Sequence, residues 1–184
     1  MRASFQSNPD TAPKRYDGVT VALHWISAGL IALLWVIGQT RFFWPAGQPR
    51  SAVLSVHILF GLTLLVMLLA RVAWRATSGR HLPAIGHRLS ALGARLAHLA
   101  LYGLIGLTLL AGLSGVMARG LHLFGLALLP PLTLLPAGLM KTFGHLHGNF
   151  ANILVALAVL HGLAALFHRM VLRDGTLERM LPGR

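Results

Sequence analysis

The sequence predicts an all-α membrane protein, a four-transmembrane-helix bundle forming a single domain over residues 1–184. Three observations predict it. Only 11% of the residues are charged and 55% are hydrophobic, with mean hydropathy +0.69, whereas soluble domains carry about 25% charged residues. Four stretches approach or exceed the ~20 apolar residues that cross a bilayer as a helix. Basic residues also crowd alternate connections, as they do when successive loops fall on opposite sides of a membrane.

The first span covers about residues 20–40, TVALHWISAGLIALLWVIGQT. It is too long for the apolar region of a signal peptide and lacks a clean small-residue cleavage site, so it is expected to stay in the protein. The second covers about 52–74 and is free of charge until Arg71. The third covers about 98–117 and is rich in glycine (Gly103, Gly106, Gly112, Gly115); small residues let helix backbones or a flat ligand approach closely. The fourth covers about 150–167. Residues 121–139 are also apolar, but Pro130, Pro131 and Pro136 would break a spanning helix. Residues 120–144 are therefore expected to form a proline-rich outer loop that caps the outer face.

Charge fixes the expected orientation. With four spans, one side holds Arg2, Lys14, Arg15, Arg71, Arg75, Arg80, Arg88, Arg95, Arg169, Arg173, Arg179 and Arg184, and the other only Arg41, Arg50, Arg119 and Lys141. This imbalance predicts that both termini are cytoplasmic. The net charge of +12 reads as a topology signal and a means of lipid-headgroup contact, not as a nucleic-acid surface. Without cysteine, disulfides, iron–sulfur clusters and thiolate zinc sites are excluded.

Ten histidines carry the functional signal. His81, His87 and His122 fall in connections and read as solvated polar groups. His24, His57, His147 and His161 lie within or at the edges of spans, where ionisable residues are costly and face the bundle interior with a partner. His147 and His161 are 14 residues apart, so they face within about 40° of each other and lie ~21 Å apart along one helix. Two ligand positions thus share one face at two depths. His57 sits near the outer start of the second span and pairs with His147; His24 sits near the inner start of the first and pairs with His161. His145 competes for the outer position, but two residues turn a helix by ~200°, and the 14-residue spacing favours His147.

Two bis-histidine levels inside a helical bundle suggest two b-type haems stacked across the bilayer, since haem iron takes two trans imidazoles and bundle cores hold cofactors. Zinc or copper would need three or four ligands at one depth, which makes a histidine-based metal-ion transporter the weaker competitor.

The residues also carry a family resemblance. RYDGVTVALHW at 15–25, SVHILFGLTLLVMLLARVAWR at 55–75, AHLALY at 97–102 and the tail LHGLAALFHRMVLRDGTLERMLPGR from Leu160 resemble the prokaryotic cytochrome b561 family. The resemblance covers nearly the whole chain. It implies a four-helix inner-membrane cytochrome with two haems b and quinone-linked electron transfer, its ligands falling on His24, His57, His147 and His161. Haem propionates need cationic or hydrogen-bonding partners; Arg71, His98 and His168 at the inner ends of the spans are expected to contact inner propionates or a quinone headgroup.

Asp10, Asp17, Asp174 and Glu178 all fall on the inner side, leaving the outer face with four fixed cations and no carboxylate. Such a field attracts a small anion, and the resembled family includes superoxide oxidases that pass electrons from superoxide to ubiquinone. The expectation is a di-haem oxidoreductase moving electrons from an outer donor such as superoxide to ubiquinone. The alternative within the same chemistry is a cytochrome b subunit anchoring a soluble dehydrogenase or hydrogenase.

Overall fold

The computed structural model describes residues 15–83, 85, 88–132 and 136–182. Four helices dominate it: α1 (Gly18–Thr40), α2 (Gln48–Thr77), α3 (Arg88–Arg119) and α4 (Ala137–Phe167). Each is long and apolar enough to cross a membrane by length and composition. Every expected span lies inside one of them.

The helices run past the apolar windows, most of all α3, which begins at Arg88 instead of about 98, and α4, which begins at Ala137 instead of about 150. Hydropathy marks only the hydrocarbon layer. Arg, Leu and Lys are good helix formers, so the backbone continues its hydrogen-bond ladder into the polar zone. The expected outer loop over 120–144 contracts accordingly. Leu121–Leu123 (β1) and Leu126–Leu129 (β2) form an antiparallel hairpin, and residues 137–144 are the first turns of α4. The turn between the strands is Phe124–Gly125, with φ of 52° and 88°, the left-handed pair that a two-residue type I′ hairpin requires.

Local sequence explains where the helices start. Asp17 caps α1, its carboxylate accepting from the Thr20 backbone N–H at 2.9 Å and the Thr20 hydroxyl at 2.7 Å. Gly47 turns the chain with φ of 97° ahead of Pro49 in the first turn of α2, where a missing N–H costs nothing. Pro136 stands at the start of α4 in the same sense.

Two ends can be distinguished. At the terminal end, the beginning of α1, the connection after α2 and the tail after α4 are stitched together. Tyr16 N–H donates to the Arg179 carbonyl, Trp25 Nε1 to the Met180 carbonyl, Trp74 Nε1 and Arg80 N–H to Asp17, and Arg179 to the Pro83 carbonyl. At the loop end the hairpin is fastened to α2 through Ser55, whose oxygen accepts from the Phe124 N–H at 2.9 Å while its hydroxyl donates to the Ser51 carbonyl. Ser55 is 2% exposed.

α1 packs along α2 and α3 along α4, and α1 also meets α4. The buried centre takes one side chain from each helix: Leu34, Leu64, Ile105 and Leu154. The outward faces are almost wholly apolar and exposed, as at Val66, Leu69, Leu110 and Leu160, the surface a bilayer covers.

Candidate functional site

The helices share a register. His57, Leu64 and Arg71 on α2, His98, Ile105 and Gly112 on α3, and His147, Leu154 and His161 on α4 follow one another at intervals of seven; His24 and Gly38 on α1 are fourteen apart. Seven residues make about two turns, so each set lies on one helix face. Leu64, Ile105 and Leu154 meet Leu34 in the core, which leaves one polar layer on either side of it.

The layer toward the loop end holds His57, His147 and two glycines. The His57 and His147 rings face each other with centroids 5.9 Å apart and planes at 75°. His147 Nδ1 lies 2.8 Å from the Thr108 carbonyl. A carbonyl only accepts, so Nδ1 carries the proton and Nε2 keeps its lone pair. A Cβ at Gly112 would stand 2.9 Å from this Nδ1, and one at Gly38 would stand 3.7 Å from His57 Cε1. Each histidine thus lies against a glycine of the neighbouring helix in its own hairpin of helices. His57 Nδ1 is buried without a hydrogen-bond partner among the described residues. His145 is exposed, whereas His147 is half-buried.

These features fit a bis-imidazole haem site. Two imidazoles from different helices face each other, one of them oriented through Nδ1 in the way metal-bound histidines are held by a backbone carbonyl. The other has a buried nitrogen that no group among the described residues satisfies. Among the described residues no group of three or more His, Cys, Asp or Glu is arranged to hold a metal ion, so the donor set does not match a tetrahedral zinc or copper site.

The layer toward the terminal end gathers His24, Arg71, His98 and His161. The His98 and His161 rings stand 5.2 Å apart, edge to face. His98 Nδ1 bonds its own Ala94 carbonyl at 2.7 Å. Arg71 NH2 lies 3.4 Å from His24 Nδ1, and its guanidinium covers the Tyr102 ring at 5.2 Å. His24 interacts electrostatically with Arg71, His161 and His98. Of the five side chains expected at this level from the sequence, His24, Arg71, His98 and His161 come together, His161 against His98 and His24 against Arg71, whereas His168 lies beyond them against Asp174.

His168, one heptad beyond His161, sits at the start of a π-helical turn, His168–Leu172. The chain then reverses through Arg173 (φ 52°) and Gly175 (φ 78°) and brings Asp174 back onto His168 Nδ1. The Thr176 side chain and His168 together hold the Asp174 carboxyl down at about 2, against a small opposing effect of burial. A cavity of about 390 Å³ opens beside it, lined by Arg15, Asp174, Glu178 and Arg179. Of the connection histidines, His81 bonds the Arg75 carbonyl, His122 lies exposed on β1, and His87 lies outside the described residues.

Sequence reasoning missed Gly38, Thr108 and Asp174, and it named Gly112 only as one of four small residues on the third span. The two glycines were readable: each stands fourteen residues after a histidine on its own helix, the interval that was noticed only on α4. Thr108 acts through its carbonyl and leaves no side-chain signal.

The family model of the prokaryotic cytochrome b561 matches residues 15–183. Cytochrome b561 homolog 2 of Escherichia coli is 35% identical over 92% of each chain. Cytochrome b562 of Cereibacter sphaeroides is 30% identical over 92% of this chain and 96% of the relative. A protein of Yersinia pestis named "Probable superoxide oxidase CybB" is 29% identical over 93% of this chain and 98% of its own.

Proposed function

Because the chain belongs to the prokaryotic cytochrome b561 family, a family of bacterial membrane electron-transfer proteins carrying b-type haem, we propose that it binds two haems b and passes electrons from superoxide at the loop end to ubiquinone at the terminal end. The observation that carries the reading is the facing pair His57 and His147, with Thr108 and Gly112 setting the orientation of one ring. When bound, each haem supplies a centre that takes up and releases one electron at a time.

His57 and His147 are proposed as the axial ligands at the loop end, and His24 and His161 at the terminal end. The Leu34, Leu64, Ile105 and Leu154 layer keeps water out between the two levels. Arg71 and His98 would neutralise propionates or hydrogen-bond a quinone oxygen, and His168, held by Asp174, would do so at the exit of the bundle. The overall reaction balances as two superoxide anions, one ubiquinone and two protons giving two dioxygen molecules and one ubiquinol.

Support for superoxide comes from the name of the Yersinia pestis relative and from the charge of the loop end, where Arg41, Arg50, Arg119 and Lys141 have no acidic residue beside them in the sequence. Positive-inside bias supports an inner-membrane location with cytoplasmic termini.

The test is a visible spectrum of the purified protein with haem counted per chain, followed by stopped-flow mixing with superoxide and ubiquinone. Two haems per chain and haem reduction by superoxide are expected. A colourless protein overturns the cofactor reading; two haems with no reduction by superoxide overturns the donor alone.

A further inference from the structure

Outside the two histidine layers, one further polar cluster stands in the membrane-spanning region. Trp35 and Gln39 on α1 meet Asn152 on α4 across the seam between these helices. The Trp35 indole N–H donates to Asn152 Oδ1 at 2.9 Å, and the Gln39 side-chain nitrogen donates to the same oxygen at 2.8 Å. Both lone pairs of that oxygen are then engaged. The amide nitrogen of Asn152 and the amide oxygen of Gln39 have no partner among the described residues. Both residues are exposed on the outside of the bundle, among the exposed apolar side chains Val36 and Ile153.

A bond that only fastens two helices uses a donor and an acceptor and is complete. Here the Asn152 amide nitrogen is left over as a donor and the Gln39 amide oxygen as an acceptor, side by side with the second Gln39 N–H, next to a half-buried indole. Unpaired amide groups facing hydrocarbon are costly, so the cluster is suited to a membrane-dissolved molecule. A hydroxyl on a flat ring matches all three features: it accepts from Asn152, donates to Gln39, and the ring lies along Trp35. Carbonyl esters of lipids accept but cannot donate. Anionic headgroups would find no cation within the cluster, since the nearby Arg41 guanidinium is turned over the Phe42 ring at 4.4 Å.

We propose that the α1–α4 seam binds the headgroup of a membrane quinol, its hydroxyl held between Asn152 and Gln39. The site lies at the level of the loop-end histidines, because Gln39 follows Gly38, whose Cβ position is 3.7 Å from His57. It is separate from the acceptor position near His168, sixteen residues and roughly 24 Å further along α4. The proposal needs the chain to span a membrane and does not depend on the haem assignment.

The test uses the full chain in lipid nanodiscs and a ubiquinol carrying a benzophenone photoprobe, with labelled peptides mapped by mass spectrometry. Label is expected on residues 32–41 and 148–158, to disappear with excess unlabelled ubiquinol, and to fall about tenfold in Gln39→Leu, the worth of one hydrogen bond in such a setting. Gln39→Leu keeps the Trp35–Asn152 bond and loses only its own exposed bond to Asn152, so its thermal midpoint should fall by no more than one such bond is worth; Asn152→Leu should lose the label as well. Label confined to the terminal end, seam label that survives excess ubiquinol as simple lipid partition does, or undiminished label in Gln39→Leu would each overturn the site. Loss of the haem assignment would leave the seam label intact, and loss of the seam label would leave the Soret spectrum intact.

Discussion

His147 reaches the Thr108 carbonyl, 2.8 Å from its Nδ1, across the gap left where Gly112 has no side chain. Thr108 is one helical turn before Gly112, so a Cβ at 112 would project beside that carbonyl and stand 2.9 Å from Nδ1 and 3.0 Å from Cε1 of the ring. The obstacle is a closely held ring, not a flexible chain end, so the imidazole must move.

Gly112→Ala should therefore lower haem content from two per chain toward one, read from Soret absorbance against protein. Helix propensity alone would favour alanine by about 0.5–1 kcal/mol, so an intact thermal midpoint with lost haem is the expected combination. Gly106→Ala, where a Cβ meets nothing within 4 Å, serves as the control that keeps both haems.

What could be read from the sequence, and what could not, follows from the reach of each signal. Four spans were legible because a bilayer demands long apolar runs, and His147 was separable from His145 because helical period is fixed. The true ends of α3 and α4 were not, since basic and polar residues that support a helix carry no apolar mark. The hairpin at Leu121–Leu129 was hidden because the prolines that follow it, Pro130, Pro131 and Pro136, announced only a break. Contacts made through a carbonyl at Thr108, or through a chain reversal that brings Asp174 to His168, depend on tertiary placement that spacing does not encode.

Removal of one proposed axial ligand should empty one level only. His57→Ala and His24→Ala are each expected to leave about one haem per chain, while the double variant should be colourless. His145→Ala, which alters an exposed side chain two residues from His147, should retain two. Haem loss in His145→Ala with retention in His147→Ala would reverse the assignment.

The hairpin clamp should be separable from the bundle. Ser55→Ala removes the acceptor of the Phe124 N–H and a donor to the Ser51 carbonyl, at a cost of about 1–2 kcal/mol for a buried polar bond. The change should appear as roughly tenfold faster hydrogen exchange at the Phe124 amide, with the four helices as protected as before. Uniform loss of protection would mean that Ser55 supports the bundle instead.

The latch at the terminal end should open in acid. Burial, the largest single influence on Asp17, pushes its carboxyl up, but the backbone N–H groups of Thr20 and Arg80, the Thr20 hydroxyl and the Trp74 indole together hold it well below the ordinary value of 3.8. Asp174 is held at about 2. A depressed folded value means stability that is complete above the unfolded value and is lost as pH falls through the folded one. Trp74 fluorescence should thus stay constant above about pH 4 and change between there and pH 2 or below, and Asp17→Asn should show the acid-like signal already at neutral pH.

Donor charge gives the last test. Superoxide carries one negative charge, and the loop end presents Arg41, Arg50, Arg119 and Lys141 with no carboxylate in the flanking sequence. A field of one sign accelerates encounter with an opposite ion by at least about tenfold and is screened once salt brings the Debye length near 10 Å. The rate of haem reduction by superoxide should fall as salt rises, and Arg41→Glu with Lys141→Glu should lower the low-salt rate about tenfold and flatten its salt dependence. Reduction by a neutral donor should be unchanged in the same variant, because no net charge is being steered. Salt-independent reduction of the native protein would show that encounter at this face is not governed by its cations, and would remove the electrostatic support for an anionic donor.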